Sequence, residues 1–130
     1  MLTNLSIRNI VLIEKLDLEF DAGLTVLTGE TGAGKSILLD ALGLALGSRA
    51  DFSLVRAGEN SAQVIASFAI PSAHPVRDIL LEAGIVIQEE LILKRQLRQD
   101  RSPAAINDEP VSVSLLRKCG DLLIEIQGQF

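Results

Sequence analysis

The sequence has no tryptophan, no tyrosine and only four phenylalanines among its 130 residues. Its core must therefore be built from Leu, Ile, Val and Ala. The shortage also argues against a stacking platform for single-stranded nucleic acid, which relies on aromatic rings. The one cysteine, Cys119, excludes an internal disulfide and a cysteine zinc site. It reads as a small buried apolar residue. The one histidine, His74, stands among prolines without the companions that metal or catalytic chemistry needs. Positive charge is also short: the net charge is −5 and the pI about 4.8. A domain that binds nucleic acid by bulk charge is normally basic. Any DNA contact must then use a local patch or another part of a longer protein. No apolar run reaches the roughly 18 residues that read as a membrane span, and MLTNLSIRN lacks the basic-then-apolar layout of a signal peptide. A soluble, cytoplasmic protein with no membrane partner is expected.

What is present is apolar: 48% of residues, enough in a chain of this length for one domain with a core. Leu5 and Ile7 alternate with polar neighbours, and Leu16, Leu18 and Phe20 do so again. Both stretches read as half-exposed antiparallel strands. Asp21-Ala22-Gly23 reads as a turn and Leu24 to Thr28 as a strand buried on both faces. Leu38, Leu39, Leu42, Ala45 and Leu46 repeat at helical spacing, with Gly47 as the C-cap. Ser48 to Asn60 reads as a loop. Gln63 to Ile70 predicts a strand, Pro75 to Ala83 a helix stopped by Gly84, and Glu90 to Arg98 another strand. Ala104 to Val113 reads as a hairpin turning at Asn107-Asp108. Ser112 or Ser114 is expected to cap a short helix ending at Gly120, and Leu122 to Ile126 to form a final strand. The plan is an α/β fold: a mixed sheet with an antiparallel layer around one helix.

Between the Leu24 strand and the Leu38 helix lies GETGAGKS, residues Gly29 to Ser36. It fits the P-loop pattern G-x-x-x-x-G-K-[ST]. Glycines let backbone amides turn inward around a phosphate. A following helix N-terminus favours an anion. Lys35 supplies charge to the outer phosphates and Ser36 a hydroxyl to Mg²⁺. At ordinary glycine abundance, the four fixed positions meet by chance in a chain this long roughly once in a few hundred sequences. The backbone of Glu30, Thr31, Gly32 and Ala33 completes the cradle. The pattern implies a nucleoside triphosphate with Mg²⁺ but does not choose among kinase, GTPase, transporter motor and repair ATPase.

The stretch LSIRNIVLIEKLDLEFDAGLTVLTGETGAGKSILLDALGLALGSRA and the later INDEPVSVSLLRKCGDLLIEIQGQF closely resemble the RecN family of bacterial DNA repair ATPases. That family belongs to the SMC-like ATPases, whose heads have the ABC architecture. The resemblance covers most of the chain. It implies the N-terminal lobe, residues 1–130, of a P-loop NTPase head of ABC type, cut before a coiled coil. It implies ATP as the nucleotide, and ATP-driven head dimerisation in DNA double-strand break repair and recombination. The implied partners are a second head lobe, a second protomer in a homodimer, DNA ends or single-stranded regions, and a recombinase filament. The implied location is the nucleoid. Gln129 falls on the family's Q-loop position, which reaches Mg²⁺ and the attacking water. It joins Lys35 as an implied catalytic residue, and Ser36 as an implied metal ligand. Arg56 resembles an arginine that such heads place near the nucleotide, and reads equally as a solvated loop arginine. The family's turn is Asn-Gly; Asn107-Asp108 stands here, and Asp accepts positive φ less readily than Gly.

Other features stay open. Arg8 is either near the nucleotide or a strand-surface charge. Lys94, Arg95, Arg98 and Arg101 form a basic cluster in an acidic chain. Alternation puts Arg95 with Leu93 and Leu97, and Lys94 and Arg98 opposite. The cluster either meets DNA phosphate or guards an exposed strand edge. No apolar run followed by Asp-Glu and no Ser-Gly-Gly signature occurs. The catalytic carboxylates must then come from elsewhere, and the chain alone is expected to be almost inactive. The alternatives are a head lobe of another SMC- or RecF-type ATPase and, on thinner grounds, a small-molecule P-loop kinase.

Overall fold

The computed structural model describes the backbone of residues 1–20 and 32–127, and side chains at 1–20 and 37–123. Among the described residues six strands form one antiparallel sheet: β1 (Leu2–Ile10), β2 (Ile13–Glu19), β3 (Ser61–Ala69), β4 (Glu90–Arg98), β5 (Ala104–Ile106) and β6 (Glu109–Val111). Their order is β2-β1-β3-β4-β5-β6. The α-helices described are α1 (Gly32–Ala45), α2 (Val76–Glu82) and α3 (Val113–Gln127). The strand expected over Leu24 to Thr28, and the turn before it, lie outside the described residues.

Period-two alternation sets which face is buried. Registered rows cross the sheet: Leu18, Leu5, Ala66, Leu93 and Ile106 in one, Leu16, Ile7, Val64, Arg95 and Ala104 in the next. These rows face the core, where α1 packs on β1, β3 and β4. The opposite rows are mainly polar, with Ile65 and Ala105 the apolar members: Asp17, Ser6, Ile65, Lys94 and Ala105, then Lys15, Arg8, Gln63 and Gln96. Gln96 donates to Gln63 across that face at 3.1 Å.

The tight turns use left-handed backbone. Asn107 and Asp108 have φ of 46° and 68°, the pattern of a type I′ hairpin. The turn chemistry thus survives without the glycine. Asn107 explains part of this. Its amide oxygen accepts from Ile92 N–H at 2.7 Å and its NH₂ donates to the Glu90 carbonyl at 3.1 Å, so the side chain continues the β4 ladder. At the β1–β2 turn, Asn9 and Val11 are also left-handed, at 58° and 51°. That is strained for a β-branched residue. Val11 N–H to the Leu54 carbonyl (2.7 Å) and Arg56 N–H to the Asn9 carbonyl (2.8 Å) hold it. The expected loop over Ser48 to Asn60 contains a 3-10 turn, Phe52–Leu54, capped by Asp51.

Two expectations fail together. The helix after Ser112 does not stop at Gly120, and Leu122 to Ile126 is not a strand; α3 runs unbroken to Gln127. Leu116, Cys119 and Leu123 are buried at i, i+3 and i+7, a helical stripe. Ser112 Oγ accepts from Leu115 N–H at 3.1 Å as the N-cap. Gly120 lies inside the helix because the end of α1 comes so close: a Cβ there would sit 2.1 Å from the Leu46 carbonyl oxygen.

Candidate nucleotide site

Helix α1 opens at Gly32, so Gly32, Ala33, Gly34, Lys35 and Ser36 form its first turn and a half. The first amides of a helix have no intrahelical acceptor, and the dipole places partial positive charge there. The Gly-Lys-Ser part of the motif therefore falls where a helix binds an anion. Gly29, Glu30 and Thr31 lie outside the described residues.

The other end of α1 is fastened in detail. Gly47 (φ 98°) follows the last turn. Ser48 N–H donates to the Gly43 carbonyl at 2.9 Å and Gly47 N–H to Leu44 at 3.1 Å, the Schellman pattern. Arg95, only 2% exposed, reaches in from β4. Its Nη1 donates to the carbonyls of Leu44 (3.0 Å) and Ser48 (2.8 Å), and its Nε to Ser102 Oγ (2.7 Å). Burial lowers the Arg95 pKa, yet a guanidinium stays charged in proteins. Among the described residues no carboxylate pairs with it. The negative end of the α1 dipole takes that role.

This corrects the basic cluster. Arg95 is an internal cap and meets neither DNA nor solvent. Strand β4 is also not a sheet edge, since β3 and β5 flank it, so the edge-guarding explanation fails for its central residues. Lys94 is half-buried on the polar face, and Arg98 and Arg101 are exposed at the β4–β5 turn. The alternation that separates Arg95 from Lys94 was readable; the carbonyls Arg95 would find were not.

The remaining candidates are scattered. Arg56 is half-buried beside the β1–β2 turn, its backbone tied to Asn9. Arg8 pairs with Asp17 on the polar face at 2.9 Å. Hydrogen bonds from Arg8, then from Ser6, hold the Asp17 carboxyl below its usual value. This favours the surface-charge reading of Arg8. Gln129 lies outside the described residues. The strand that was to carry it to a sheet edge is helical up to Gln127, so that geometric support is gone.

His74 binds its own backbone: Nδ1 accepts from Val76 N–H at 3.0 Å at the start of α2. Burial, then the nearby N-terminal ammonium and Arg77, lower its pKa. Cys119 is buried, and burial pushes its thiol up to about 11. Arg77 carries no sequence signal of its role. It donates to the carbonyls of Ile70, Pro71, Ile87 and Gln88 and ties α2 to the loop before β4. Only its place one residue into α2 was visible; its acceptors are backbone atoms that no motif marks.

The AAA domain family matches residues 4–108. DNA repair protein RecN of Bacillus subtilis is 44% identical over 131 aligned positions, covering 99% of this chain and 23% of that protein. RecN of Vibrio cholerae is 45% identical over 130 positions, covering 99% and 24%. The chain thus spans about a quarter of the length of these relatives. Among solved structures, one described for ATP-driven dimerisation and DNA-stimulated activation of SMC ATPases superposes with a TM-score of 0.72. It is 20% identical, with 95% of this chain and 79% of that one covered. The Smc head domain of Pyrococcus furiosus, bound to the C-terminal domain of ScpA, gives 0.70 at 17% identity, covering 95% and 33%. The fold is that of an SMC ATPase head lobe, with Gly32 to Ser36 of the glycine motif in the first turns of α1. The chain belongs to the AAA domain family, and over almost its whole length it is similar to the N-terminal part of RecN proteins.

Proposed function

We propose that this chain is the ATP-binding lobe of an SMC-like ATPase acting in DNA double-strand break repair and recombination. The observation that carries the reading is the G-x-x-x-x-G-K-S pattern with Gly34, Lys35 and Ser36 in the first turn and a half of α1. The residues fit a triphosphate with Mg²⁺. Gly29 to Gly34 supply backbone amides, Lys35 charge and Ser36 a metal-directed hydroxyl. Arg56 and Gln129 join the site in this reading, Gln129 toward the metal and the water. Bound Mg²⁺ would neutralise charge developing on the phosphates.

The sequence holds no Asp-Glu after an apolar run and no signature motif. A second lobe and a second protomer therefore complete the site, and ATP-driven engagement of two heads is coupled to DNA. The 130-residue chain alone binds nucleotide weakly and hydrolyses almost none. The relatives' names support the repair role, and the SMC heads support the dimerisation.

Titration of the purified chain with MgATP tests this. Lys35→Ala removes a charge-assisted phosphate contact and should weaken binding by about 1.5–3 kcal/mol. Unchanged affinity would sink the cradle assignment. Substantial turnover by the parent chain, lost in Lys35→Ala, would contradict the single-lobe reading.

A further inference from the structure

We propose that Arg95 is a positioning residue that couples the β4–β5 hairpin tip to the nucleotide helix. The inference rests on the nucleotide-lobe reading above. One side of the guanidinium holds the carbonyls of Leu44, in the last turn of α1, and of Ser48, in the cap that follows it, and the other holds Ser102. Ser102 Oγ donates in turn to the Gln96 carbonyl at 2.6 Å, so its one proton is committed while it accepts from Arg95. Ser102 directly follows the turn Arg98–Arg101, which closes on itself through two backbone bonds, Arg98 N–H to Arg101 (2.8 Å) and Arg101 N–H to Arg98 (2.7 Å). Gln99 in that turn is left-handed, at φ 47°. A displacement of the turn moves Ser102, and Arg95 passes it to the end of α1. From Leu44 back to Lys35 the helix is a rod of about 14 Å. Motion at its fastened end therefore reaches the phosphate-binding end. Arg98 and Arg101 are exposed on the turn, so a polyanion such as a DNA backbone is the chemistry that would load it.

A merely structural arginine would stabilise the fold without linking the two ends. Amide-resolved NMR of the ¹⁵N-labelled chain, titrated with a slowly hydrolysed Mg–ATP analogue, separates the two. The variants are Arg95→Lys, Ser102→Ala and Lys35→Ala. A lysine offers one ammonium that cannot span both the helix carbonyls and Ser102. Arg95→Lys should fold and bind nucleotide about tenfold more weakly. In the parent, nucleotide should shift the amides of Arg98 to Ser102; in Ser102→Ala that response should vanish while binding persists. A folded Arg95→Lys with parental affinity, or a Ser102→Ala chain whose turn still responds, overturns the coupling. If Arg95→Lys does not fold, the Ser102→Ala turn signals alone decide. Absent binding in the parent, or parental binding in Lys35→Ala, strikes the nucleotide reading itself and the coupling with it.

Discussion

Replacing Gly120 by alanine tests how α3 is seated. In an exposed helix interior this change stabilises by about 1 kcal/mol, through backbone entropy. Here the added Cβ would lie 2.1 Å from the Leu46 carbonyl oxygen and 2.9 Å from its carbonyl carbon and Cβ. A carbon–oxygen contact relaxes to about 3.3 Å or more, so α3 must retreat by roughly 1 Å. Both sides of the contact are fixed. Leu46 directly follows α1, whose Leu44 carbonyl Arg95 holds, and α3 is buried through Leu116, Cys119 and Leu123. Retreat loosens that stripe, and overpacking of this kind costs about 1–3 kcal/mol or more. The overpacking should exceed the propensity gain, for a net loss of about 1–3 kcal/mol. For a domain of this size that lowers Tm by roughly 4–12 °C. Urea unfolding followed by circular dichroism measures it. Asp121→Ala, one residue on and exposed, serves as control and should stay within about 0.5 kcal/mol. A neutral or stabilised Gly120→Ala would refute the argument. It would mean that α3 is not pressed on Leu46, and would revive Gly120 as a helix end.

Asp108→Gly should stabilise the chain by about 0.5–1 kcal/mol, because Asp108 sits at φ 68°, where glycine meets no side-chain penalty; a thermal melt that falls would refute it. His74 has a lowered folded pKa from an ordinary 6.5, so the unfolded chain takes up its proton first. The His74 contribution is complete above that value and is lost as pH falls through the folded pKa. His74→Asn should flatten this part of the stability–pH curve, and an unchanged slope would count against burial and the neighbouring positive charges as what holds the imidazole neutral. Cys119, with its thiol raised to about 11, should resist thiol reagents in the folded chain and react at once in denaturant; prompt native labelling would show that it is not buried.

Strands and turns were legible because their signals are local. Glu90 to Arg98 alternates cleanly, and Asn107-Asp108 marks its turn despite lacking glycine. The end of the chain was misread for a physical reason. Gly120 looks like a stop, and Leu122-Leu123-Ile124 looks like a buried strand. The stripe Leu116, Cys119, Leu123 was present in the sequence, but a glycine admitted for close packing looks the same as one that ends a helix. The nucleotide motif was legible as a pattern, and so was the helix that follows it. The fastening of that helix was not, because Arg95 bonds to main-chain carbonyls about 50 residues distant in sequence. Such partners leave no motif. The placement of Gly29 to Thr31 and of Gln129 is outside the described residues, so their expected roles rest on pattern and kinship alone.

The sheet order carries one more consequence. Strand β1 pairs with β3 across some 60 residues, Leu5 opposite Ala66, whereas β4 and β5 meet across 13, Leu93 opposite Ile106. Loop-closure entropy grows only with the logarithm of length. The long excursion therefore costs the β1–β3 pairing roughly 1.4 kcal/mol more than the short one costs its hairpin. The nucleotide helix thus travels inside a crossover whose length is thermodynamically inexpensive. Residues could be added within Ala57 to Asn60, exposed and beyond the bonds that tie Leu54 and Arg56 to the β1–β2 turn, with little loss of sheet stability. That stretch is where such a fold can acquire new contacts without rebuilding its core.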